Sequence, residues 1–138
     1  MTATKLANPN KLFPMFTTAK LAETRAFYVD KLGWTPTYDM PCYLQVRSAD
    51  VDGPELAFMS NTGGPTEGAP AFPGQGVCVS VPVADADAHH VALRARGVEP
   101  EAAPTLEPWG WRSFKVRDPA GVILDFFHVA AEPATPPN

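Results

Sequence analysis

The sequence repeats itself, and the repeat limits the architecture more than any single motif does. Leu21–Leu32, LAETRAFYVDKL, carries Leu21, Ala22, Arg25, Ala26, Val29 and Leu32 at three-four spacing and stops at Gly33, which predicts a helix. Ala86–Arg96 predicts a second one: Asp85 can cap it, Asp87 lies in its first turn, Arg94 and Arg96 lie in its last, and Gly97 ends it. Each helix follows an apolar run. Leu12–Thr18, LFPMFTT, reads as a strand with Pro14 tolerable only at an edge or bulge, and Val77–Val83, VCVSVPV, alternates as a half-buried strand does. Three strand-like runs come after each helix: Thr35–Tyr38, Cys42–Arg47 and Glu55–Ser60 in the first half, then one near Val98, Trp111–Arg117 and Val122–His128 in the second. DGPELAF at 52–58 also lies over AGVILDF at 120–126. The predicted fold is therefore α+β: two tandem βαβββ modules forming a curved, mostly antiparallel sheet groove, with the helices on its outer face.

The domain boundaries follow from composition. Residues 1–10 and the proline-rich 130–138 are too polar to bury themselves and are expected to be disordered tails. The first module occupies 11–60 and the second 76–129. Between them, 61–75 (NTGGPTEGAPAFPGQ) is rich in glycine and proline and reads as a linker or mobile loop. A chain of 138 residues with 45% hydrophobic content can bury one shared core.

Charge and cysteine usage exclude several classes. The formal charge is −4 and the 11 basic residues are dispersed, so no face is basic enough for nucleic acid. Cys42 and Cys78 have neither CxxC nor zinc-ribbon spacing. The start, MTATKLANPNK, lacks the apolar core of a signal peptide, and no apolar run approaches membrane-spanning length. The expectation is a cytoplasmic protein with no membrane partner. No Ser-His-Asp order, phosphate loop or dinucleotide fingerprint occurs.

Several motifs carry a family likeness: Pro14 on the first strand, Phe27-Tyr28 through Asp30-Lys31-Leu32-Gly33 at the helix end, Pro108-Trp109-Gly110 followed by Phe114, and Arg117-Asp118-Pro119-Ala120-Gly121. With the tandem repeat, they make the chain resemble the vicinal oxygen chelate superfamily. That superfamily includes glyoxalase I, extradiol dioxygenases, fosfomycin-resistance enzymes and bleomycin-resistance proteins, and the last are the nearest in look. Metal-using members hold a ligand on the first and last strand of each module, usually His, Glu or Gln. The resemblance places those positions at Phe13, Ala57, Cys78 and Asp125. Only Asp125 offers an oxygen donor, and Cys78 adds one thiol, which is short of the three or more donors such metals want. His89 and His90 lie mid-helix and His128 follows the last strand. No metal and no cofactor is expected.

If those four positions face inward, their period-two neighbours Met15, Thr17, Glu55, Met59, Ser80, Ile123 and Phe127 do so too. Such a surface, aromatic and methionine-rich with few polar groups, would either line a small-molecule pocket or fill a closed core. On the third strand Tyr43 and Gln45 alternate with Leu44 and Val46, and the polar pair is predicted to face the groove. Trp109 and Trp111 flank a glycine, so they can swing over the groove onto a ligand or lock their loop against the sheet. Cys78 has no histidine placed to activate it and reads as a small strand residue rather than a nucleophile.

The candidate ligand-binding residues are thus Phe13, Met15, Tyr43, Gln45, Met59, Cys78, Trp109, Trp111, Asp125 and Phe127, with no catalytic residue assigned. They predict a metal-independent binding protein, a homodimer by resemblance, that sequesters a bulky antibiotic or toxic natural product. Glu107 and Asp125 near the indoles would suit a positively charged guest. The alternative is a metal-dependent lyase, isomerase or dioxygenase of the same superfamily; a metabolite-binding accessory domain is a third reading.

Overall fold

The computed structural model describes residues 12–48 and 53–131. The predicted tail at 1–10 and the end of the other, from 132, lie outside the described residues. Within them the chain builds two four-stranded sheets of the same design. The first has β1 (Met15–Thr18), β2 (Thr35–Met40), β3 (Tyr43–Arg47) and β4 (Glu55–Ser60) in the order β1-β4-β3-β2. The second has β5 (Cys78–Pro82), β6 (Thr105–Leu106), β7 (Trp111–Arg117) and β8 (Ile123–Val129) in the order β5-β8-β7-β6. In each, the first strand pairs parallel to the last and the other pairings are antiparallel. A helix joins the first two strands of each module: α1 (Leu21–Arg25), continuing as a π-helical stretch (Ala26–Lys31), and α2 (Ala86–Ala95).

Strand alternation sorts the side chains. Phe16, Leu44, Val46, Leu56 and Phe58 of the first sheet join Phe114, Val116, Leu124 and Phe126 of the second in one core against the helices. The opposite faces carry Met15, Tyr43, Gln45, Ala57 and Met59 in one sheet and Cys78, Trp111, Asp125 and Phe127 in the other. Tyr28 is fully buried where the modules meet, and its hydroxyl donates to Asp118 Oδ2 at 2.5 Å. Asp118 Oδ1 accepts from the Val122 amide at 2.8 Å, closing the reversal between β7 and β8. Two of the sequence motifs behind the family likeness thus meet in one bond. Burial pushes the Asp118 carboxyl up, opposed by the Tyr28 bond and by local backbone amides.

One expectation needs correction, the strand near Val98, and three gain detail. The helix predicted over Leu21–Leu32 is α-helical only to Arg25; beyond it the turn widens, with Leu32 N bonded to Phe27 O, and adjacent Phe27 and Tyr28 are both buried. The strand expected near Val98 is absent there. Val98 is buried in a loop, bonded back to Leu93 O after Gly97 turns at φ +83°, and the strand forms later as the two-residue β6. The linker 61–75 packs on the modules it joins: Phe72 N bonds Thr17 O along the outer edge of β1, Phe72 packs edge-on to Phe16 at 5.1 Å, and Gly74 O accepts from Arg117. At the other end, Ala130 and Ala131, placed by the sequence in a disordered tail, both bond Gly110 O.

Candidate ligand-binding groove

On the second sheet, Trp111 and Phe127 lie face to face on neighbouring strands, with ring centroids 3.6 Å apart and planes 9° from parallel. Trp109 meets Trp111 edge-on at 6.5 Å and stays 37% exposed. Its turn is fixed rather than free. Gly110 adopts φ +94°, a left-handed conformation that favours glycine, and its amide bonds Glu107 O while its carbonyl receives Ala130 and Ala131. Glu107 N bonds Trp111 O at 2.7 Å, closing the base of the turn. The backbone of the turn that carries Trp109 is therefore fixed, and its indole stands partly exposed at the edge of Trp111.

Asp125 sits two residues before Phe127 on the same face of β8, opposite Lys115 and beside Ser80. The residue is 8% exposed, and its Oδ1 is buried without a hydrogen-bond partner. Burial raises its carboxyl above the usual range, Lys115 pulls it down, and Glu107 pushes it up. Cys78, exposed on β5, has its thiol raised by burial and then by the charge of Asp125, so it is held away from the thiolate form a nucleophile needs.

The first sheet's face is more polar than the sequence suggested. Tyr43 Oη donates to Gln45 Oε1 at 2.6 Å, and Gln45 Nε2 donates to Glu55 Oε1 at 2.8 Å. Thr37 Oγ1 reaches the same Glu55 oxygen at 2.6 Å. Sequence reasoning missed Thr37, because the register of β2 against β3 shifts between Pro36 and Tyr38 and the irregularity re-aims the side chain. Beside this chain, Tyr43 and Met59 line an apolar cavity of about 530 Å³ with Met40, Pro41, Cys42 and Pro65. A smaller cleft of about 230 Å³ lies between the sheets, with Glu55 on one side and Ser80 on the other. Met15 is 54% and Phe13 38% exposed at the open start of β1.

The predicted residues therefore gather into two clusters, one per sheet: Met15, Tyr43, Gln45 and Met59 on the first, and Cys78, Trp109, Trp111, Asp125 and Phe127 on the second. Lys115 was missed; its position opposite Asp125 depends on a β7–β8 register that the sequence does not reveal. The residues present do not fit a family metal. Among the described residues no group of three His, Cys, Asp or Glu side chains converges. The histidines lie on the helix side. His89 rests on Phe126 at 4.8 Å and His90 on Phe114 at 5.0 Å, while His128 Nδ1 accepts from Ala86 N at 2.8 Å.

The profile of the glyoxalase/bleomycin resistance protein/dioxygenase superfamily matches residues 13–126. The chain belongs to that superfamily. A comparison with curated protein sequences finds no significant match. Among solved structures, a glyoxalase/bleomycin resistance protein/dioxygenase from Nocardioides is 25% identical with a TM-score of 0.73, covering 96% of this chain and 93% of its own. TnmS3, an antibiotic-binding protein from Streptomyces sp. CB03234, is 22% identical with a TM-score of 0.67 over 91% and 100%. A bleomycin-binding protein complexed with bleomycin is 18% identical with a TM-score of 0.63 over 87% and 98%. The last two likenesses are of fold.

Proposed function

We propose that this superfamily member is a binding protein that captures a bulky, partly aromatic natural product of the antibiotic kind and releases it unchanged. The supporting observation is the Trp111–Phe127 stack with Trp109 exposed at its edge: a preformed, apolar aromatic stack, with an outer ring face free, beside the buried Asp125 carboxylate. Rings held by packing and by a pinned turn lose little conformational freedom on meeting a planar ligand. The donor-poor metal positions support capture rather than metal-assisted chemistry, because Phe13 and Ala57 cannot ligate. Antibiotic-binding and bleomycin-binding relatives on the same fold support the ligand class. Capture takes place in the cytoplasm, in a homodimer.

Tryptophan fluorescence gives the test. Titration with a panel of planar antibiotics is expected to quench the indoles to a stoichiometric end point, with the ligand recovered intact by mass spectrometry. A ligand recovered chemically altered overturns the reading. Purified protein supplemented with Ni, Zn, Fe or Mn is expected to retain no stoichiometric metal.

A further inference from the structure

Asp125 lies about 7 Å along β8 from Phe127, on the face that carries the aromatic stack. The charged and titratable groups facing it come from three elements: Lys115 on β7, Glu107 in the turn before β7, and Cys78 on β5. None of them, nor Ser80 beside it, donates to Oδ1, which is buried and unpartnered. Folded proteins rarely leave a buried carboxylate oxygen in this state, because desolvation is not offset by a bond. The terminal torsion of aspartate is broad and two-fold, so a modest rotation carries an oxygen to the side where the residue keeps its exposed fraction.

Building on the capture reading above, we infer that Asp125 sets the class of ligand: the bound molecule presents an N–H donor at the edge of the ring system lying against Trp111 and Phe127. A donorless ring of the same shape, charged or neutral, binds less tightly because it gains no bond to the carboxylate. The specificity is for the donor and not for positive charge alone, since Lys115 already supplies a cation nearby without bonding Oδ1.

Three acridines separate these terms by calorimetry on the full chain: 9-aminoacridine, a cation with N–H donors; 10-methylacridinium, a cation without one; and 9-methylacridine, neutral and donorless at mildly alkaline pH. The first is expected to bind about tenfold or more tightly than the other two. Asp125→Leu is expected to erase the preference, while Trp111→Ala weakens all three alike. If 10-methylacridinium binds as tightly as 9-aminoacridine, or all three bind equally, the donor inference is overturned and the aromatic platform stands. If none binds, the platform itself falls and this inference with it. The ligand-free protein gives an independent check: Asp125→Leu removes an unpaired acceptor, so its Tm should not drop. A clear loss of Tm would mean that the carboxylate is already satisfied in the folded protein, and would overturn the inference.

Discussion

Trp111 and Phe127 bury one face of each ring against the other, so a ligand meets the remaining faces and the edge offered by Trp109. Aromatic contacts of this kind contribute about 0.5–1.5 kcal/mol beyond area burial. Trp111→Ala is accordingly expected to weaken a planar ligand by roughly tenfold, and Trp109→Ala by less, in a calorimetric titration. Tyr28 gives a residue-scale prediction for stability. Tyr28→Phe leaves Asp118 Oδ2 buried without its donor and is expected to cost about 1–3 kcal/mol in urea unfolding. The pH dependence has a definite sign. Burial raises Asp118 in the folded state, so its contribution favours folding at low pH and is lost as pH rises through that raised value. The Tyr28 bond opposes this, and without it the deficit should be greatest near neutrality and shrink on acidification. The pairing of Tyr28 with Asp118 could not be read from the chain, because it joins residues far apart in sequence through the packing of one module on the other. The orientation of Tyr43 and Gln45 could, because Leu44 and Val46 between them had to be the core pair.

Helix α2 is an element whose start is held twice. Asp85 accepts from Ala88 N at 3.2 Å, as the sequence suggested, and His128 accepts from Ala86 N at 2.8 Å, which local sequence could not show. Asp85→Ala is expected to cost about 1 kcal/mol. His128→Leu, which leaves the Ala86 amide without its partner near a buried helix start, should cost a similar amount by the same unfolding measurement. Additivity of the two in the double variant would show that they cap independently. Element boundaries were legible where a strong local signal set them: β4 matches residue for residue, and Gly33 and Gly97 turn at φ +73° and +83° as stops. They were not legible where tertiary packing decided, as in the π-helical widening after Arg25. The displaced β6 is another such case, because Val98 is apolar for the core and not for a sheet.

At the scale of the molecule, the two clusters of candidate binding residues sit on separate sheets. Apolar side chains are exposed at the sheet margins: Tyr38 and Met40 on β2, Leu106 on β6, and Val129 at the end of β8. Were these margins the face on which the proposed homodimer pairs, light scattering on the purified protein would give twice the mass of one chain. Tyr38→Lys with Met40→Lys should shift it towards the single chain. The repeat itself was the most legible large-scale feature, because glycine stops and matched apolar runs survive in both halves. The joint between the halves was not legible, because a glycine- and proline-rich composition describes a packed strap and a free tether equally well.

That strap governs how the halves can be exchanged. Phe72 occupies the outer edge of β1, and a side chain at Gly121 would meet Gly74 Cα at 3.0 Å, so the crossing there is tight. Trading modules between two copies would require peeling this segment from β1 and from the last hairpin. Any such trade would first have to break those contacts, so it is expected to be slow, and protein refolded at low and at high concentration should then keep its starting mass on standing.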